Sequence, residues 1–377
     1  MTRAMVTTKA IKRPRPVASV QKTPVPIEAL HDICRWPRFS NTPGEEYVIR
    51  KYIQTIDGII EDGYGNFFKV VHAPEGKEFI TMFSAHTDTV HKRTATQPYK
   101  LRCRGDMMTV NGGGVLGADD GTGIWIMLNL IEAKVPGLYV FHRDEEIGGL
   151  GSTHIVTHHA NLFEDGKIKH CISFDRKGTT DVITHQGCSR CCSDEFAEAF
   201  ADALNLGTPF SFAPDDTGSF TDSANYTDLI GECTNLAVGY YDQHTQSESQ
   251  DLAFASALVN QLITIDFSQL PAKRQPGETC PDDFDYNNYP SFDYDLDAPQ
   301  SDSKGLRSIK GRDDFKVISE MCQRYPGEIA DMLMEQGWTS AALGSELEDV
   351  YSCDIAGDNG YSDGDTDFGD LDYPGLH

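Results

Sequence analysis

The chain has 377 residues, enough for one large domain or two smaller ones with a substantial core. Its net charge of −26 and pI near 4.7 argue against nucleic acid or an anionic membrane surface as a partner, although much of that charge is gathered towards the C-terminus. No apolar run is long enough to span a bilayer, the N-terminus lacks the apolar centre of a signal peptide, and ten scattered cysteines suit a reducing cytoplasm.

Residues 1–27 carry six Lys or Arg, four Pro and no acid, the composition of a disordered basic arm. Ile27 to Ile33 reads as a short helix, and a second starts at Thr42 as N-cap, with Pro43 in its first turn and early acids. Phe67 to Val71 reads as a strand expected to pair with residues 79–83. Residues 92–116 read as a loop and hairpin. The helix after Gly121 is apolar on most faces and so is expected deep in the fold. Residues 193–206 form an amphipathic helix, and residues 252–267 a closing one.

Five segments place a His or an acid at the edge of an apolar run. Residues 79–83 lead to His86-Thr87-Asp88, and Gly117-Ala118-Asp119-Asp120-Gly121-Thr122-Gly123 opens the apolar helix. Residues 138–141 lead to Asp144-Glu145-Glu146, residues 171–174 to Asp175, and residues 236–241 to His244 and Glu248. Two adjacent carboxylates are costly to hold together unless positive charge lies between them, and the ends of parallel strands are where open α/β sheets keep their ligand crevices. Taken singly, each segment has a plainer account: a strand-end turn, a helix cap or a solvated acidic turn. As an ordered set they describe a metal site of imidazole and carboxylate donors, the set that suits zinc.

With these motifs the chain resembles the co-catalytic zinc exopeptidases, a group of aminopeptidases, peptidase T-like tripeptidases and glutamate carboxypeptidases, over roughly residues 40–266. The resemblance implies a three-layer α/β fold with a central mixed, mostly parallel sheet between helices. It also implies two zinc ions, with cobalt or manganese as substitutes. His86 and Asp175 would hold one ion, Glu146 and His244 the other, and Asp119 would bridge them. Glu145 would be the general base acting on a metal-bridging water, and Asp88 would orient the His86 ring. Arg176, beside Asp175, and Asp222, in a loop like the family's substrate-side loop, are candidate substrate contacts; a plain helix cap is the other reading of Asp222.

Spacing within this group is informative. Only 69 positions separate Asp175 from His244 and 33 separate His86 from Asp119, which leaves no room for an inserted lid domain and implies a layout like that of the single-domain aminopeptidases. The domain is expected to cover residues 28–270. An acidic-aromatic linker over 271–310, a small helical segment over 311–351 and an acidic disordered tail over 352–377 would follow. The linker reads either as a spacer or as a docking surface for a protein partner. Asp363, Asp365 and Asp367 are spaced as in a calcium loop, but Phe368 and Pro374 stand where Gly and Glu are required.

Two other clusters stand apart from the set. Cys188, Cys191 and Cys192 lack a second pair with zinc-ribbon spacing. His154 and His158 are spaced as in HExxH proteases, but Ile155 replaces the catalytic Glu, so these two and His159 read as surface histidines. The sequence therefore points to a metallo-exopeptidase acting on a peptide or small amide, with aminopeptidase action preferred. A deacylase, a cyclase or another amide hydrolase on the same scaffold is the alternative, and a non-catalytic binding module with this fold is a third reading.

Overall fold

The computed structural model describes residues 19–278, apart from 75–78, 164 and 188. All belong to one of two units into which the chain divides; the second, 285–369, lies outside the described residues, as do the expected helical segment and acidic tail.

Apolar runs build the central sheet. Its strands are β1 (Ile60–Glu61), β2 (Phe67–Val71), β3 (Thr81–His86), β6 (Gly137–His142), β7 (His170–Arg176), β8 (Asp181–Ile183), β11 (Ala213–Asp215) and β12 (Glu232–Ala237), in the order β1-β2-β6-β3-β7-β12-β8-β11. A hairpin, β4 (Leu101–Arg104) with β5 (Met107–Val110), belongs to a separate antiparallel sheet, β13-β14-β5-β4, completed by β13 (Tyr240–Tyr241) and β14 (Ser249–Asp251). A small ribbon pairs β9 (His185–Gln186) with β10 (Ser189–Arg190).

The four central strands, β6, β3, β7 and β12, run parallel and are buried on both faces, which is why they read as continuous apolar runs rather than alternating ones. Alternation persists in where the side chains go. Phe83, Tyr139, Phe141, Ile172 and Phe174 enter the larger core, while Met82, Leu138, Val140 and Cys171 enter the smaller core on the opposite face. The larger core is covered by α1 (Ile27–Cys34), α3 (Ala118–Glu132), α5 (Asp194–Asn205) and α6 (Leu252–Leu262). Above the smaller core lie α4 (Leu150–His158) and the 3-10 turn Asp222–Tyr226. The remaining helix, α2 (Pro43–Val48), runs into a wider π-type turn over Ile49–Ile53.

Four expectations change. β2 pairs not with β3 but antiparallel with β6, which lies between them, because periodicity marks a strand without naming its neighbour. The run 236–241 is split at Gly239, whose φ of +92° turns the chain from the central sheet into the second one. Residues 19–27 are not a free arm: Val20, Val25 and Ile27 pack on the larger core, and the Val25 amide donates to Asn129 Oδ1 at 2.7 Å. At the other end the domain passes residue 270, since buried Arg274 donates to the Gly231 carbonyl at 3.1 Å and its amide donates to Glu232 Oε1 at 2.9 Å.

Candidate metal centre

The strand ends set the site. β3 and β6 are parallel with His86 in register with His142, so His86 and the turn after β6 emerge at the same carboxyl edge. In that turn Asp144 adopts a φ of +61° and is held by Ser40 and by the Tyr64 hydroxyl, which aims Glu145 and Glu146 back over the edge. β7 ends on Asp175. Asp119 lies at the opening of α3, where Gly117 at φ +71° lets the loop pass against Arg38 and His91. His244 comes from the turn between β13 and β14.

All five ligand candidates and Glu145 meet there. The two carboxylate oxygens of Asp119 face different histidines: Oδ1 lies 3.1 Å from His86 Nε2 and Oδ2 lies 3.0 Å from His244 Nε2. On the first side Asp175 Oδ1 stands 3.7 Å from His86 Nε2; on the second, Glu146 Oε1 stands 3.0 Å from His244 Nε2. Glu145 Oε2 approaches the first side at 4.0 Å from His86 Nε2. Donor atoms of His86, Asp119 and Glu146, and of His86, Asp120 and Asp175, fall within 4.8 Å of one another.

Further side chains brace this set. Asp88 Oδ1 lies 3.3 Å from His86 Nδ1, and the same carboxylate accepts the amides of Glu145 and Glu146, each at 3.1 Å. It therefore sets the first histidine and the acidic turn together. Asp120 accepts the His86 amide at 3.1 Å and the Gly123 amide at 2.8 Å.

Three residues with positioning roles were not legible in the sequence. Glu248, fully buried, accepts four backbone amides: Leu116 at 2.7 Å and Gly117 at 3.1 Å on one oxygen, Ala118 at 2.8 Å and Asp119 at 3.2 Å on the other. Asn235 exchanges two hydrogen bonds with the Asp175 backbone at 2.9 and 2.8 Å, and the Tyr240 hydroxyl donates to Asp175 Oδ1 at 2.9 Å. Only Glu248 carried a signal, its place after His244, and that signal said nothing of the loop it closes.

The two candidate substrate contacts are both engaged by other side chains. Arg176 is engaged by Asp181 at 3.1 Å, by Asp215 at 3.6 Å and by Thr217. Asp222 is buried, 3.3 Å from His142 Nδ1, and neither faces solvent nor caps a helix, since Thr221 holds the cap position of the following turn. His142 itself is buried beneath the site and bonded to the Tyr226 hydroxyl at 2.7 Å.

Electrostatics test whether cations fit. Burial holds the Glu145 and Asp120 carboxyls well above the usual carboxylate range. Burial, then the charge of Asp119, pushes Glu146 up to about 7 and also raises Asp175. Burial opposes protonation of the two histidines, but the carboxylates around them prevail: His86 rises well above the imidazole range and His244 to about 10. A buried set that favours protons this strongly is relieved by positive charge placed among the oxygens, and its imidazole and carboxylate donors suit zinc or a similar divalent ion.

No protein-family description matches the chain, and no curated protein does. Solved structures do match. Aminopeptidase PepT from Bacillus cereus is 14% identical, with a TM-score of 0.51 over 64% of this chain and 98% of that one. A tripeptidase from Staphylococcus aureus is 13% identical, with a TM-score of 0.49 over 63% of this chain and 95% of that one. At this identity the likeness to PepT is one of architecture: the chain has the fold of that aminopeptidase, a mixed sheet flanked by helices, as the sequence motifs imply.

Proposed function

We propose that the protein is a dinuclear zinc-dependent exopeptidase, acting as an aminopeptidase. The observation that carries this reading is Asp119, whose two oxygens face His86 at 3.1 Å and His244 at 3.0 Å, with an acid beside each histidine. His86 and Asp175 would hold one ion, Glu146 and His244 the other, with Asp119 shared. Bound zinc supplies Lewis-acid polarisation of a carbonyl and lowers the pKa of water.

Glu145 is the group left over once the ligands are assigned. Its carboxyl is raised by burial, a property of proton-transfer groups, and Asp88 fixes its backbone. It would take the proton of the attacking water and return it to the leaving amine. Three arginines around the site are occupied: Arg38 by the carbonyls of Ile33, Thr87 and Gly117, Arg143 by Glu45, and Arg176 by Asp181 and Asp215. A substrate carboxylate therefore finds little there, whereas the surplus of acids suits the ammonium of a free N-terminus.

Cytoplasmic residence belongs to the same proposal and is supported by six free cysteines among the described residues. Among those residues no helix is long and apolar enough to cross a membrane. A protein partner for the acidic-aromatic segment rests on its composition alone.

The test is Glu145→Gln on zinc-loaded protein, with aminoacyl chromogenic substrates and short peptides. Turnover should fall by about 10²- to 10⁴-fold while metal content stays at the parental level. Loss of metal would mean that the two adjacent glutamates exchange roles. Two zincs in the parent without any peptide turnover would leave a deacylase or another amide-processing enzyme.

A further inference from the structure

Away from the candidate centre, α4 ends in three histidines that the sequence suggested were surface residues. The structure separates them. His158 is exposed, its ring stacked on His154 with centroids 4.3 Å apart. His159 is buried, and His154 is half-buried against Tyr64, with ring centroids 5.1 Å apart.

Facing His154 and His159 is Asp62, on the turn between β1 and β2. Its Oδ1 accepts three successive amides, from Tyr64 at 2.9 Å, Gly65 at 2.7 Å and Asn66 at 2.8 Å, and its Oδ2 accepts Asn66 Nδ2 at 2.8 Å. The carboxylate is thus fixed in direction by local hydrogen bonding before any ligand arrives. One ring nitrogen from each histidine and one oxygen of Asp62 fall within 4.8 Å of one another.

We propose that Asp62, His154 and His159 form a second, separate binding site for one divalent transition metal ion of the zinc, cobalt or nickel kind. Two imidazoles and one carboxylate are the donors such ions select, and three protein ligands leave a position for water. A tetrahedral ion with bonds of about 2.0–2.1 Å needs donors roughly 3.4 Å apart, within reach of the observed cluster by small side-chain rotations. Burial lowers the pKa of both His154 and His159, which favours the neutral imidazole that ligates. No residue of this site belongs to the candidate centre: His154 lies in the second turn of α4 and His159 just past its end.

Its consequence would be mechanical. Asn66, on the Asp62 turn, accepts the Arg143 amide at 3.1 Å and donates to the Gly151 carbonyl at 3.1 Å, while Tyr64 donates to Asp144 at 2.5 Å. An ion joining Asp62 to the end of α4 therefore ties both ends of that helix to the turn that carries Glu145 and Glu146.

The experiment uses untagged full-length protein, because a polyhistidine tag would compete, loaded with zinc and desalted. Metal per chain is counted by elemental mass spectrometry in the parent, His154→Ala and His154→Cys. The expected result is one ion fewer per chain in His154→Ala and its return in His154→Cys, where a thiolate replaces the imidazole. Free zinc at about one hundred times Kd should also raise the Tm of the parent by roughly 5–10 °C more than that of His154→Ala. Equal metal counts in parent and His154→Ala would overturn the proposal. So would a loss that His154→Cys does not restore, which would mark the cluster as packing alone.

Discussion

Glu248→Gln isolates the geometry of the Asp119 loop from the chemistry of its ligands. The two side chains have nearly the same shape, but an amide presents one oxygen and one NH2 where the carboxylate presents two acceptors. In whichever orientation, the NH2 points at two amide donors, either Leu116 and Gly117 or Ala118 and Asp119, and leaves them without an acceptor in a buried loop. At about 1–3 kcal/mol for each buried donor left unsatisfied, the cost is about 2–6 kcal/mol. In a domain of this size that lowers Tm by roughly 4–24 °C. Urea denaturation of the metal-free protein measures the cost, and zinc titration followed by elemental mass spectrometry measures the second effect, weaker metal binding through a displaced Asp119. A Glu248→Gln protein with parental stability and zinc affinity would refute the argument that this carboxylate closes the loop.

Tyr240→Phe removes the hydroxyl that donates to Asp175 Oδ1 at 2.9 Å; at about 0.5–1.5 kcal/mol for the bond, zinc affinity should drop about 2- to 13-fold with the fold intact, as read by competition with a chromogenic chelator. His170 gives a pH prediction away from the site: burial lowers its pKa to about 4, so between the unfolded value near 6.5 and that pH only the unfolded chain binds the proton, and stability falls as pH falls. From pH 7 to 5 the parent should lose about 2 kcal/mol that His170→Gln does not, measured by urea midpoints at both pH values; parallel curves would show that His170 is charged in the fold.

How much of this was readable depends on which interaction places a residue. The apolar runs around residues 81–86, 137–142 and 170–176 are long and buried on both faces, so the strands and the acids at their ends stand out locally. Motif order then supplied the meeting of His86, Asp119, Glu146, Asp175 and His244. Neighbour choice was not readable. Nothing in residues 67–71 says that β6 rather than β3 is their partner, since either strand offers an apolar edge.

The same limit hid Glu248, whose role exists only because β14 pairs with β5, placing residues 249–251 against 107–109. The partners of Arg176 and Asp222 were hidden for a related reason. Each has the residue type of a substrate contact, but ion pairs from β8 and β11 occupy Arg176, and the second core and His142 enclose Asp222. Exposure is a property of the assembled layers and has no local signature. His159 was misread as solvent-facing on the same ground, since its partner Asp62 lies almost a hundred positions earlier.

The crossing from the central sheet into the second one at Gly239 bears on the order in which the protein matures. His244 and Glu248 both come after that crossing, and the pairing of β14 with β5 closes a stretch of about 140 residues. A growing chain can lay down β1 to β12 and their helices while the Asp119 loop still lacks its carboxylate acceptor and the second histidine is missing. Contacts of such sequence separation form late, after the loop entropy has been overcome. The proposed metal centre would then be among the last features to appear, and a chain halted before residue 244 would have most of its architecture while lacking both of those residues.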